Sequence, residues 1–145
     1  MKSNPSSQRV LWVEDILLSV RANVSRFDRA GFKVDIAQSL MEAETMARMT
    51  KYRFIFVDFS IPQSNGGVAE TSSGLGVEFL RNLRSKHYGA LNSDVLTFLC
   101  TAHRESLTNE DQIYLDQNKI VIIAKAGSYK TVQGLTELLD GEDDD

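Results

Sequence analysis

The chain is short of the residues that staple, punctuate or charge a fold in one direction. It has a single cysteine, Cys100, so an intrachain disulfide framework is excluded. Cys100 closes the apolar run 95–100 and reads as a small buried core residue rather than a catalytic thiol. Only two histidines occur, His87 and His103, and no Cys/His spacing suggests a zinc site. Basic residues are in deficit, with a formal net charge of -4. That argues against a basic face for nucleic acid and against attraction to an anionic membrane surface. No apolar stretch approaches the roughly 18 residues of a membrane span. The N-terminus, MKSNPSSQ, lacks the apolar core of a secretory signal. A cytoplasmic protein is the expectation.

What is present fits one ordinary globular domain of 145 residues with 42% hydrophobic content. Its most telling stretch is RFIFVDFSIP, residues 53–62. Phe54, Ile55, Phe56 and Val57 form an unbroken apolar run rich in aromatic and β-branched side chains, the pattern of a strand buried on both faces of a parallel sheet. The run delivers Asp58 at its C-terminal end, the edge where open α/β sheets carry their chemistry. Pro62 then takes the chain out of the sheet.

The rest alternates in the same manner. Residues 1–8 are polar and read as a disordered lead-in. Val10–Val13 is a strand ending in Glu14-Asp15. Ile16, Leu17, Val20, Val24 and Phe27 follow helical spacing up to Gly31, a C-terminal cap. A brief strand over 33–37 precedes Ser39 and Glu42, a capping box for a helix to about Met49. Residues 63–73 (QSNGGVAETSS) read as a loop. Leu75, Phe79 and Leu83 mark a helix to about Lys86, and 94–100 is a fourth strand closed by Thr101. Thr108 and Asp111 start a helix with Tyr114 and Leu115 inward. Residues 120–124 form a fifth strand with Lys125 at its end. Ser128 reads as the cap of a last helix carrying Val132, Leu135 and Leu139. The run 140–145 reads as an acidic mobile tail, leaving 9–139 as the domain. Five strands alternating with five helices predict an α/β fold: a five-stranded parallel sheet, doubly wound (βα)5, with right-handed crossovers.

In such a sheet the C-terminal strand ends share one edge. There the sequence sets Glu14 and Asp15, Asp58, Thr101 and Lys125. Three carboxylates repel unless neutralised, and Mg²⁺, which takes oxygen ligands and keeps several waters, does this. A hydroxyl, an ammonium and a metal make a cradle for a phosphoryl group. Asp58 would be the nucleophile that attacks phosphorus to give an acyl phosphate.

These motifs, LWVED (11–15), FIFVDFSIP (54–62), TFLCTAH (97–103) and VIIAK (121–125), resemble the response-regulator receiver domain of two-component signalling over nearly the whole chain. The resemblance implies the flavodoxin-like receiver fold. It implies that Asp58 accepts phosphate from a histidine kinase or histidine phosphotransfer protein, so that the chain is a signalling phosphoacceptor rather than an enzyme with a separate substrate. Mg²⁺ would be held by Asp15, Asp58 and, through water, Glu14, with the main-chain carbonyl of Ser60. Thr101 and Lys125 would bind the phosphoryl oxygens. Ser60 and His103 stand where the family tunes phosphoryl lifetime. A downstream effector protein would read the resulting shift, and a homodimer through the helix 4/strand 5/helix 5 face is the expected self-association. No nucleic acid or membrane is implied as a direct partner.

The sequence departs from the family in three places. Ile122 stands where an aromatic residue usually rotates with the switch threonine. Ala126 follows Lys125 where a cis proline is usual, which leaves the isomer of that peptide open. The loop after Pro62 is long, with Gly74 taken as the glycine that opens the next helix; the loop is either a surface excursion or a lid beside Asp58. The first two departures favour a divergent pseudo-receiver, a phosphorylation-independent interaction module, as the alternative. A haloacid-dehalogenase-type phosphatase is disfavoured because its nucleophile precedes the acidic pair, and its second aspartate would stand at Ser60. A flavodoxin-type flavin site is disfavoured because Glu14-Asp15 would repel the flavin phosphate.

Overall fold

The computed structural model describes residues 8–66 and 74–143. Strands β1 (Arg9–Val13), β2 (Lys33–Ala37), β3 (Phe54–Asp58), β4 (Leu96–Thr101) and β5 (Ile120–Ala124) form one sheet in the order β2-β1-β3-β4-β5. Every pairing is parallel. Helices α1 (Arg21–Arg29), α2 (Leu40–Met49), α3 (Leu75–Arg84), α4 (Asn109–Gln117) and α5 (Ser128–Asp143) supply the crossovers. The doubly wound (βα)5 architecture expected from the alternation is the one observed.

Strand periodicity divides the core in two. Leu11, Val13, Ile55, Val57 and Leu99 point to one face, under α2, α3 and α4. Val10, Trp12, Phe54, Phe56, Phe98 and Cys100 point to the other, under Phe27 of α1 and Val132 of α5. On that second face the register brings Trp12 opposite Phe56 and Phe56 opposite Phe98. The three rings stack laterally, with centroids 4.2 Å and 4.6 Å apart. Cys100 is buried there, as expected of a core residue.

Several local expectations hold in detail. Ser39 caps α2, its Oγ accepting from the Glu42 N–H at 3.1 Å, while Glu42 Oε1 accepts from Gln38 N–H at 2.8 Å. Thr108 caps α4 in the same way through the Asp111 N–H. Gly31, at φ +93°, ends the turn after α1.

Others are corrected. β4 begins at Leu96, two residues later than the sequence suggests. The Val95 carbonyl is taken by Arg84 Nη1 at 3.0 Å and by the Thr97 hydroxyl at 2.7 Å, so it is not free for the ladder. The helix after β1 does not start at Ile16. A 3-10 turn over Leu17–Ser19 comes first, and Ile16, Leu17 and Leu18 face solvent. α3 stops at Arg84, and Lys86 takes φ +67°. Ser128 is the first helical residue of α5 rather than its cap, and its hydroxyl accepts from Asn23 Nδ2 of α1 at 3.1 Å. α5 runs on to Asp143, through the first part of the acidic run. The lead-in up to Ser7, the loop residues 67–73 and the last two residues of the tail lie outside the described residues. Among the described residues, no helix is long and apolar enough to cross a membrane.

Candidate functional site

The site forms where β1, β3 and β5 end. Each strand is held by its ladder and by apolar side chains on both faces, so the residue just past its last rung has a fixed place. Val13 pairs with Val57, and Asp58 pairs with Cys100. Glu14 extends β1 by one more bond, from its N–H to the Ala37 carbonyl at 2.9 Å. Glu14 and Asp58 are both buried, at 1% and 6% exposure.

Lys125 joins them. Its Nζ lies 2.7 Å from Glu14 Oε1 and 3.4 Å from Asp58 Oδ1. The chain turns directly after β5 through a 3-10 turn over Lys125–Gly127. Among the described residues no peptide is cis, so the Lys125–Ala126 bond is trans. Glu14 has further partners: the Ile16 N–H donates to Oε2 at 3.2 Å, and the single proton of the Ser19 hydroxyl is shared between the Ile16 carbonyl at 2.8 Å and Glu14 Oε1 at 3.1 Å. These bonds fold the chain back on the Glu14 carboxylate. They explain why Ile16, Leu17 and Leu18 enter a tight exposed turn instead of continuing the helical face of Val20 and Phe27.

The electrostatics follow from this packing. Burial pushes the Asp58 carboxyl up to about 7, the charges of Glu14 and Asp15 add to this, and Lys125 opposes it. For Lys125, burial works against the ammonium, but its hydrogen bond to Glu14 and the charges of Asp58 and Glu14 outweigh it, and its pKa lies above the ordinary lysine value. Burial, with Asp58 and Glu14, drives the neighbouring Cys100 thiol upward, which leaves it an inert thiol.

Thr101 ends β4 and is 5% exposed, its Oγ1 accepting from the His103 N–H at 3.1 Å. Asp15 and Ser60 are half-buried at the same edge. His103 is not turned inward: its side chain is 71% exposed and its Nδ1 lies 3.5 Å from Glu105 Oε1. Ile122 pairs with Leu99 and packs against the α2–α4 side of the core. The structure therefore brings Glu14, Asp58 and Lys125 into contact, with Asp15 in electrostatic reach and Thr101 at the neighbouring strand end, and it leaves His103 in solvent.

Among the described residues, no three His, Cys, Asp or Glu side chains are arranged to hold a metal ion. The Glu14 oxygens are turned to Lys125, Ser19 and the Ile16 N–H. Asp15 and Asp58 remain as carboxylates. Burial is the main cause of the upward pull on Asp58, and the charges of Glu14 and Asp15 add to it. All-oxygen donors suit a hard divalent cation that keeps part of its water shell.

In its described part, up to Gly66, the segment after Asp58 runs to the N-terminus of α2. The Pro62 and Gln63 carbonyls accept from the Leu40 and Met41 N–H groups at 2.9 and 3.1 Å, closing the N-terminus of α2. Asn65 Nδ2 then donates to Glu42 Oε2 at 3.1 Å. Sequence reasoning missed Ser19, whose polar side chain looks like a surface residue, and Gly76, whose N–H donates to the Phe59 carbonyl at 3.2 Å just after Asp58 and which the reading passes over for Gly74. The signal that could have found Gly76 is its place in the first turn of an amphipathic helix, where glycine has no propensity advantage.

No family model matches the sequence, and no curated protein matches it. Solved structures do. The signal receiver domain of an HD domain-containing protein from Pseudomonas fluorescens Pf-5 superposes with a TM-score of 0.65 at 10% identity, covering 96% of this chain and 99% of that one. The receiver domain of a sensor histidine kinase from Pseudomonas aeruginosa PAO1, with a magnesium ion coordinated in the active site cleft, gives 0.61 at 18% identity over 90% and 98%. A response regulator from Burkholderia pseudomallei, with a phosphorylated aspartic acid, a calcium ion and citrate, gives 0.61 at 16% identity over 94% and 73%. The chain has the CheY-like, flavodoxin-like fold of response regulator receiver domains. At these identities the likeness is one of fold.

Proposed function

We propose that the chain is a phosphoacceptor receiver domain of a two-component phosphorelay. The observation that carries the reading is the meeting of Glu14, Asp58 and Lys125 at one strand edge of a receiver fold. An Asp58 carboxylate oxygen attacks phosphorus of a phosphohistidine on a histidine kinase or histidine phosphotransfer protein. The P–N bond breaks, the histidine leaves, and an aspartyl phosphate results. Lys125, released from Glu14 and Asp58, neutralises a phosphoryl oxygen, and the Thr101 hydroxyl donates to another. Asp15, Asp58 and the Ser60 carbonyl, with Glu14 through water, would hold a Mg²⁺ ion, which would supply further neutralisation of phosphoryl charge. A cytoplasmic location goes with this reading.

Two surfaces support protein partners. Ile16, Leu17 and Leu18, at 56%, 47% and 76% exposure, adjoin the acidic pair and offer apolar area to a phosphodonor. A groove of about 740 Å³ beside α4 and β5, lined by Leu96, Gln112, Asp116, Lys119, Val121 and Ile122, offers a face to an effector protein or a second copy. A phosphorylation-independent interaction module is the second reading, favoured by the aliphatic Ile122 and by Lys125 lying nearer Glu14 than Asp58.

The test is mass spectrometry after incubation with acetyl phosphate and Mg²⁺. The expected result is one phosphate adduct on the wild type and none on Asp58→Asn. An unmodified wild type, with a cognate kinase as well, rules in favour of the interaction module.

A further inference from the structure

Helix α3 rests on the acceptor segment through a residue without a side chain. A Cβ built on Gly76 would run into the main-chain carbonyl oxygen of Asp58, and would sit 3.0 Å from both the Cα and the carbonyl oxygen of Phe59. All three obstacles are backbone atoms, so no flexible side-chain end can give way. Gly76 also donates its N–H to the Phe59 carbonyl at 3.2 Å, while the Phe59 N–H donates to the Cys100 carbonyl at 2.9 Å. Phe59 is therefore held through its N–H by β4 and through its carbonyl by α3, with Gly76 lying close against the Asp58 carbonyl. Four residues on, the Pro62 and Gln63 carbonyls are held by α2. Gly74 is the opposite case: it needs its φ of +63°, but a Cβ there would meet nothing within 4 Å.

We propose that Gly76 is a positioning residue for the phosphoacceptor. By letting the first turn of α3 touch the Asp58–Phe59 peptide, it sets the main chain that aims the Asp58 carboxylate and the Ser60 carbonyl. It rests on the reading of Asp58 as phosphoacceptor, and adds a residue outside the charged set on which the site depends. Any side chain at Gly76 forces α3 outward or tilts the 58–59 peptide, and both change that aim.

The test compares Gly76→Ala with Gly134→Ala, a control in α5 whose added Cβ meets nothing within 4 Å. Circular dichroism and urea unfolding establish that each variant folds. Calorimetry then gives Mg²⁺ affinity, mass spectrometry the rate of acetyl-phosphate labelling, and hydrogen exchange the protection of the Phe59 amide relative to that of Ile55. The expected result for Gly76→Ala is a folded protein with Mg²⁺ binding and labelling each reduced roughly ten- to a hundredfold, and with selective loss of Phe59 protection. Gly134→Ala behaves as wild type. A folded Gly76→Ala protein with wild-type affinity, labelling and Phe59 protection overturns the proposal. If Gly76→Ala does not fold, the wild type decides by NMR: the Gly76 amide resonance should move with those of Asp58 and Phe59 as Mg²⁺ is added, and a stationary Gly76 resonance overturns it. A wild type that takes no phosphate removes the phosphoacceptor reading alone, because Phe59 protection and Mg²⁺ affinity still judge the role of Gly76.

Discussion

Lys125 is bound more closely to Glu14 than to Asp58, at 2.7 Å against 3.4 Å. The lysine proposed to serve an added phosphoryl group thus has a resting partner that is itself nearly inaccessible and bonded by Ser19 and the Ile16 N–H. Breaking such a pair by removing one charge costs more than the pair is worth, because the other charge is left buried. Glu14→Gln keeps the size and the Ser19 bond but removes the charge. It is expected to transfer Lys125 fully to Asp58 and to bring the Asp58 carboxyl down from about 7, since Glu14 is a leading cause of its upward shift. An NMR titration of the Asp58 carboxyl reads this directly; an unchanged midpoint would separate Glu14 from the site's electrostatics.

The raised Asp58 pKa makes a stability prediction with a definite sign. Its folded value is about 7 against an ordinary 3.8, so the folded state binds the proton more tightly than the unfolded state does. The contribution of Asp58 is then favourable in acid and is lost as pH rises from about 4 to 7. At about 1.4 kcal/mol per pH unit the upper bound is roughly 4 kcal/mol, before relaxation around the buried group reduces it. Without divalent cations, Asp58→Asn is expected to be more stable than wild type at pH 8 by about 1–4 kcal/mol, with a much smaller gap at pH 5. Urea unfolding at the two pH values checks it. Lys125 does not blur the result, because its raised pKa removes stability only at strongly alkaline pH. On the proposed Mg²⁺ binding, which would need the folded chain and the ionised carboxylate, the ion should narrow the gap at pH 8.

The parts of this site that were legible in the sequence are those set by local pattern. β3 and β5 are unbroken apolar runs, so their ends, Asp58 and Lys125, were placed by the run itself. Ser39 and Thr108 declared two helix starts through their own side chains. What escaped depends on contacts between distant residues. Nothing near Ile16 says that Glu14 will bend the chain into an exposed turn. Gly76 matters only because the Asp58 carbonyl, far back in the chain, lies against it. Ser128 has the composition of a cap, yet its hydroxyl is spent on Asn23 across the α1–α5 seam.

Asn92 is another residue whose role only the tertiary structure reveals. It is 1% exposed. Its Nδ2 donates to the Ala47 and Thr50 carbonyls at 2.9 and 2.7 Å, and its Oδ1 accepts from the Tyr52 N–H at 2.8 Å. One amide thus completes the end of α2 and the approach to β3. Asn92→Ala strands three backbone groups, each worth about 1–3 kcal/mol when buried without a partner. With some water entering the gap, a loss of about 3–5 kcal/mol in urea unfolding is expected, with acetyl-phosphate labelling retained while the protein is folded. A loss under about 1 kcal/mol would mean that the backbone finds other partners.

Trp12 offers an optical reading of the site, because it is the only tryptophan and stands at the end of a stacked row. Its ring lies on Phe56 at 4.2 Å and 5°, and Phe56 lies on Phe98 at 4.6 Å and 14°. Phe56 precedes Asp58 by two residues and Phe98 precedes Thr101 by three, so the row crosses the sheet just below both. Trp12 is 2% exposed, which shields its emission from solvent and from collisional quenchers and leaves its neighbours as the main influence on it. Cation binding at Asp58, or phosphorylation with an inward pull on Thr101, is expected to shift Phe56 and Phe98 against one another and to change the Trp12 emission. The change should saturate with Mg²⁺, and the further change on phosphorylation should be absent from Asp58→Asn. Iodide should leave the intensity nearly unchanged throughout. A flat Trp12 signal beside calorimetrically confirmed Mg²⁺ binding would show that events at the strand ends do not reach the aromatic row.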